Sequence, residues 1–263
     1  NIQIPAMVSA AQSQLDPNGN PRFVTGGPFG SFLWAVDHAG NWSYEVLANN
    51  AINGAGFGFS LAYDNTGQPH VAYLVGDCSV GDPICARLHF TSRRSAGTWD
   101  DIAFGVSGDL SLAIGTDGLA HIAHMGHNQD LVLTSQTATG WTEEIVDSRA
   151  RSGYLPSIAL DTKNHPRIAY YFGGCLLCHD QLDNYLEYAW KDVKAGWLME
   201  RPDYSGTLWY EELTLHLDHF DQPIIGFAHE DNGNLPVGPG QERAMIVQPP
   251  LSAGRSALAD SLS

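Results

Sequence analysis

Basic residues are scarce in this chain. Its 263 residues include only 13 Lys and Arg against 29 Asp and Glu, a formal net charge of −16. Nucleic acids and anionic membranes are gripped through clusters of Lys and Arg, so neither is expected as a partner. Long apolar runs are missing too. None approaches the ~20 residues of a membrane-spanning helix, so the chain reads as soluble, without membrane insertion. No long helical periodicity, low-complexity tract or domain boundary is visible. A Gly-x-Ser-x-Gly elbow is absent, which speaks against a Ser-His-Asp hydrolase. Asn1 is not an initiator methionine and no signal peptide is visible, which reads as a processed mature form.

What the chain does have is a repeat. Ser60-Leu61-Ala62-Tyr63-Asp64 runs through a polar turn into Gln68-Pro69-His70-Val71-Ala72-Tyr73, and Ser157-Ile158-Ala159-Leu160-Asp161 runs likewise into His165-Pro166-Arg167-Ile168-Ala169-Tyr170. Related copies begin at Gln12, Ser111 and Thr214. A strand-rich period of roughly 50 residues is the signature of a radial β array. The expected fold is therefore all-β, a single five-bladed β-propeller with four-stranded antiparallel blades near 5–50, 51–105, 106–150, 151–205 and 206–263. Within each blade the strands are A to D. Strand D follows a Gly-Trp punctuation at Trp42, Trp99, Trp141 and Trp197, where the indole is expected to pack on the neighbouring blade. In the fifth repeat Gly254-Arg255 replaces it. The last blade is expected to close with Arg255 to Leu262, or alternatively with Ile2 to Ile4.

These copies resemble secreted bacterial β-propeller proteins with Ser-x-Ala-Leu-Asp-x-x-Gly-x-Pro-His-Ile-Ala-Tyr-Tyr blades. The resemblance spans nearly the whole chain and implies a fold and a secreted, periplasmic or cell-surface setting, not an activity. Repeat three departs from it, with Gly115 for the Asp and Ala120 for the Pro. The Ser-x-Asp-x-Gly-x-x-Trp box of sialidases is absent.

In such a fold the A–B and C–D turns share one face, and the B–C loops and inter-blade links share the other. The A–B turns are short and uniform while the B–C loops differ in every repeat, so the B–C loop face is expected to carry function. Three readings compete there. The leading one is an exported binding protein for a glycan or a partner surface, with Tyr154, Trp209 and Tyr210 stacking on sugar and Asp109 and Glu211 taking hydroxyls. The second is a divalent-metal or c-type-haem redox protein using His124, His127, His179 and His229. The third is a carbohydrate-active hydrolase or lyase, and glycosidase chemistry would require two carboxylates about 5–10 Å apart. Cys175-x-x-Cys178-His179 matches a haem attachment signature, yet Cys78 and Cys85 follow the equivalent strand of repeat two. Two loop-stapling disulfides explain both pairs and favour an oxidising compartment.

Overall fold

The computed structural model describes residues 11–27, 30–36, 42–48, 58–75, 86–95, 98–149, 151–173, 185–192, 194–202, 213–230 and 242–247. These form five consecutive antiparallel sheets with strands in chain order. Sheet one comprises β1 (Ala11–Leu15), β2 (Pro21–Gly27), β3 (Gly30–Val36) and β4 (Trp42–Ala48). Sheet two comprises β5 (Phe59–Tyr63), β6 (Pro69–Val75), β7 (Ala86–Ser95) and β8 (Thr98–Ser107). Sheet three comprises β9 (Leu110–Ile114), β10 (Ala120–Met125), β11 (Leu131–Thr137) and β12 (Gly140–Asp147). Sheet four comprises β13 (Tyr154–Leu160), β14 (Pro166–Phe172), β15 (Tyr185–Asp192) and β16 (Gly196–Glu200). Sheet five shows β17 (Leu213–Leu217), β18 (Pro223–Glu230) and β19 (Glu242–Val247). Both segments considered for its fourth strand lie outside the described residues.

The B strands are buried on both sides, which is why they read as nearly continuous apolar runs rather than alternating ones. The D strand β12 is an edge and exposes Thr142 and Glu143, polar side chains that discourage further pairing. Apolar clusters fill the four junctions between consecutive sheets. Trp141 meets Phe90 and Phe104 of sheet two edge-on, with ring centroids 5.0 and 4.9 Å away. Trp99 and Trp197 likewise join clusters shared with the preceding sheet, as expected.

Two repeated polar devices lock neighbouring sheets together. The first explains the Ser found in the A strands of sheets two, three and four. Ser60 Oγ accepts the Leu112 amide at 2.9 Å, Ser111 Oγ the Ile158 amide at 3.2 Å, and Ser157 Oγ the Leu215 amide at 2.9 Å. Gln12 stands at that position in sheet one, and its Oε1 accepts the Leu61 amide. In sheet five the Thr214 hydroxyl donates back to Gly226 O within its own sheet, at 3.3 Å. The described residues thus give five sheets and four junctions, and closure of sheet five onto sheet one is not among them.

The second device is the A–B turn. Asp161 Oδ1 accepts the amides of Lys163 and His165 at 2.9 and 2.8 Å, and Oδ2 pairs with Arg167 at 3.0 Å. Asp16, Asp64 and Asp218 bind their own turns the same way. The residue three positions on is left-handed, a role filled by Gly19, Gly67, Gly118, Asn164 and Asp221, residue types that tolerate positive φ. Repeat three manages without the aspartate because Asp117 occupies its space. A Cβ at Gly115 would fall 2.4 Å from Asp117 Oδ1, and Asp117 itself accepts the Leu119 amide. Turns also bond to one another: Thr116 donates to Asn164, and Thr162 to Asp221.

Candidate functional site

On the B–C loop face, the junction of sheets three and four gathers four charged side chains. Asp147 closes β12 and is buried, with 2% of its side chain exposed. Arg149 lies two residues on and returns its guanidinium to that carboxylate, Nε at 3.0 Å from Oδ1 and Nη2 at 2.7 Å from Oδ2. The Tyr170 hydroxyl donates to Oδ2 at 2.8 Å from β14. Burial alone would raise the Asp147 carboxyl, but these bonds outweigh it and hold it below its usual range. The same contact keeps Arg149 firmly protonated. Burial, reinforced by the Asp147 charge, pushes the Tyr170 phenol well up, so it remains a donor.

Glu187 of β15 is the second buried acid, 5% exposed. Arg201 donates to it at 2.9 Å, and Arg149 Nη1 lies 3.6 Å away. Each guanidinium also rests on a ring: Arg149 is 4.3 Å from the Phe172 centroid, Arg201 3.4 Å from that of Tyr185. Both Arg side chains remain 45% exposed. The result is two oriented donors at the surface, fixed from beneath by buried carboxylates and rings, with no net charge.

Nearer the A strands, Asp109 and Tyr154 lie close together. Asp109 Oδ2 accepts the amide of Leu155, next to Tyr154, at 3.0 Å. Burial raises the Asp109 carboxyl, and the Leu155 bond only partly offsets this. The link entering β13 runs over six residues, 148–153, against the two, 108–109, that enter β9, and a register shift between Tyr154 and Ser157 follows it. Leu155 adopts φ 44° there and Arg151 φ 69°, conformations that cost an L-residue of order 1–2 kcal/mol each. Space is tight: a Cβ on Gly153 would lie 2.8 Å from the Asp130 carbonyl oxygen.

Other expectations need correction. Tyr154 offers no stacking face, since its ring is 4% exposed within the cluster containing Met125, Tyr171 and Leu186. Its hydroxyl donates to Gln129 Oε1 at 3.3 Å. His124 is not open to a metal. It is buried, with Nδ1 3.0 Å from Ser107 Oγ and Nε2 2.9 Å from Thr134 Oγ1, so hydroxyls engage both ring nitrogens. Burial pushes it down to about 4, so the ring is neutral. His127 is exposed in the β10–β11 turn. The side chain of His229 and the whole of His179, Trp209, Tyr210, Glu211, Cys78, Cys85, Cys175 and Cys178 lie outside the described residues. Among the described residues no group of three or more His, Cys, Asp or Glu is placed to hold a metal ion.

The sequence reading missed Asp147, Arg149, Glu187 and Arg201. A signal was available: in a chain with 13 basic residues, two arginines follow the D strands of consecutive repeats.

No known protein family model matches this chain, and no curated protein matches it. Solved structures do. A PL25 polysaccharide lyase, an ulvan lyase, superposes with a TM-score of 0.61 at 14% identity, covering 88% of this chain and 67% of that one. The α-L-arabinanase of Penicillium chrysogenum, complexed with arabinobiose, gives 0.58 at 13% identity over 91% of this chain and 81% of its own. The Aleuria aurantia lectin, in complex with α-methyl-L-fucoside, gives 0.56 at 13% identity over 93% and 79%. At these identities the likeness is one of fold, and the fold is that of β-propellers.

Proposed function

We propose that the protein is an exported glycan-binding propeller, its five sheets serving as blades, which holds a neutral sugar against Arg149 and Arg201 on the B–C loop face. The observation that carries this reading is the pair of half-exposed guanidiniums fixed by Asp147 and Glu187. Guanidinium N–H groups held in one orientation donate to sugar hydroxyls without first losing side-chain freedom. The cluster sums to zero charge and the chain to −16, so neither local charge nor long-range field favours an anionic sugar. Support also comes from the likeness to a lectin, an arabinanase and a lyase whose own ligands are saccharides.

A glycan array followed by calorimetry tests the reading. Arg201→Ala is expected to weaken binding at least tenfold while the fold persists. Binding unchanged in both Arg149→Ala and Arg201→Ala would overturn it.

Catalysis is the second reading, and the raised Asp109 carboxyl favours it, because a carboxyl pushed up by burial beside a strained link suits a general acid. The required second carboxylate would have to come from Glu211, Glu212, Glu230 or Asp231, whose side chains lie outside the described residues. Release of reducing sugar or unsaturated product, abolished by Asp109→Asn, distinguishes enzyme from binder. A metal or haem site would have to do without His124.

A further inference from the structure

The opposite face holds a cavity that the proposed function does not use. It lies at the A–B turn end of the junction between sheets one and two and encloses about 450 Å³, within the roughly 300–1,000 Å³ typical of small-molecule sites. Arg22 from β2, Tyr44 and Glu45 from β4, Tyr63 from β5, Asn65 from the next turn and Arg93 from β7 line it. Two cation–carboxylate pairs organise its wall. Arg22 Nη2 meets Asp16 Oδ2 at 2.6 Å within sheet one, and Arg93 of sheet two crosses the junction to Glu45 of sheet one.

The crossing pair has a counterpart. Strand register places Lys191 where Arg93 stands and Glu144 where Glu45 stands, and those two meet at 2.5 Å between sheets three and four. Between sheets two and three the same positions hold Ile102 and Gln136, and Gln136 Oε1 instead accepts the Ala120 amide of its own sheet. Bridging the junction is therefore a device of the fold. At this junction the crossing pair shares the cavity wall with the Arg22–Asp16 pair of sheet one.

We propose that this cavity is a second binding site, for the ring of a neutral sugar such as a pentose or a deoxyhexose. Each pair offers a guanidinium donor beside a carboxylate acceptor. A hydroxyl on a sugar ring both donates and accepts, so two adjacent hydroxyls match such a pair in a way that a simple anion or cation cannot. Arg22 and Arg93 balance Asp16 and Glu45, and this neutrality selects an uncharged ligand. Tyr44, 56% exposed at the rim, supplies a flat apolar face for the ring's C–H groups. Tyr63 lies deeper; burial pushes its phenol up to about 12, so it stays a neutral hydroxyl. The two sites face opposite ways, and this one stands whether or not the loop-face reading does.

The test is ligand-observed NMR on the whole chain, with methyl α-L-fucoside, L-arabinose, D-xylose and D-galactose as neutral probes and sodium D-glucuronate as the charged one. It is run in an Arg149→Ala, Arg201→Ala background to silence the loop face. At least one neutral probe is expected to bind saturably there, with Tyr44→Ala and, separately, Glu45→Gln each weakening it at least tenfold. Tyr44→Ala alters an exposed side chain and keeps both ion pairs, and thermal melting verifies that each variant is folded. Absence of any neutral-probe binding in the folded background protein overturns the proposal. So does an affinity indifferent to both cavity variants, or tighter binding of glucuronate. Loss of binding only when Arg149 and Arg201 are replaced supports the loop-face site and removes this one.

Discussion

At the turn end of the sheets, Asp16, Asp64, Asp161 and Asp218 each accept the same two main-chain amides, and repeat three reaches a similar turn through Asp117. At the loop end, among the described residues, the junctions of sheets two and three and of three and four use different groups. Ser107 ties sheet two to His124, Asp147 binds Arg149 and Tyr170, and Asp109 takes the amide of a left-handed Leu155. Bonds repeated at every sheet belong to the scaffold, because each sheet has the same turn to close. Bonds made once, at an energetic cost in backbone strain or buried charge, mark where the chain departs from its own repeat.

The contrast can be broken by pH first, with the largest expected effect. Burial holds His124 at about 4 when folded, against an ordinary value of 6.5. The unfolded chain therefore binds more protons in that window. Stability is fully present above pH 6.5 and falls as pH drops toward 4, by roughly 3 kcal/mol from this residue. His70 and His121, also lowered by burial, act with the same sign. Turn aspartates act lower down: Asp64 is held at about 2 because hydrogen bonds from Thr66, Gln68 and His70 outweigh its burial, so its contribution is lost only as pH falls below 3.8 toward 2. Denaturant melts across pH should show a slope above pH 4 that flattens in His124→Gln. An unaltered slope would reject the assignment.

Asp161→Ala ranks next. It strips an acceptor from two amides and from Arg167, at a cost of about 2 kcal/mol or a fall in Tm of ~4–8 °C, with sugar binding on the loop face unchanged. Arg201→Ala should instead lose the ligand, at a stability cost of about 1–3 kcal/mol, because Glu187 is left buried with Arg149 Nη1 at 3.6 Å. A turn variant that impaired binding as strongly as stability would dissolve the distinction between the two ends. Smallest is Arg151→Gly. Relieving φ 69° should stabilise the link by ~0.5–1 kcal/mol, measurable by chemical denaturation.

The strands were legible in the sequence because each repeat writes its own local rules. Ser60, Ser111 and Ser157 mark A strands, Gly-Trp marks D strands, and the left-handed residue after each Asp marks the turn. Even the odd repeat had a reason within three residues, Asp117 standing in for the missing aspartate. His124 was misread for the opposite cause. Seen along the chain, it is a histidine beside a loop. Its environment is made by Ser107, 17 residues earlier, and Thr134, 10 residues later. Arg149 and Arg201 escaped notice because nothing in the local sequence shows that their anchors, Asp147 and Glu187, are buried.

The sequence by itself settled an all-β chain of repeated antiparallel sheets, since a turn or a strand depends on neighbours a few residues apart and a repeat multiplies that signal. Only the tertiary structure decided which polar groups are spent inside and which face water. Burial arises where strands and sheets meet, through contacts such as Ser107–His124 and Arg93–Glu45 that lie 17 and 48 positions apart, and no local pattern encodes those distances. The neutral His124, the anchored arginines and the cavity beside Tyr44 all belong to those junctions.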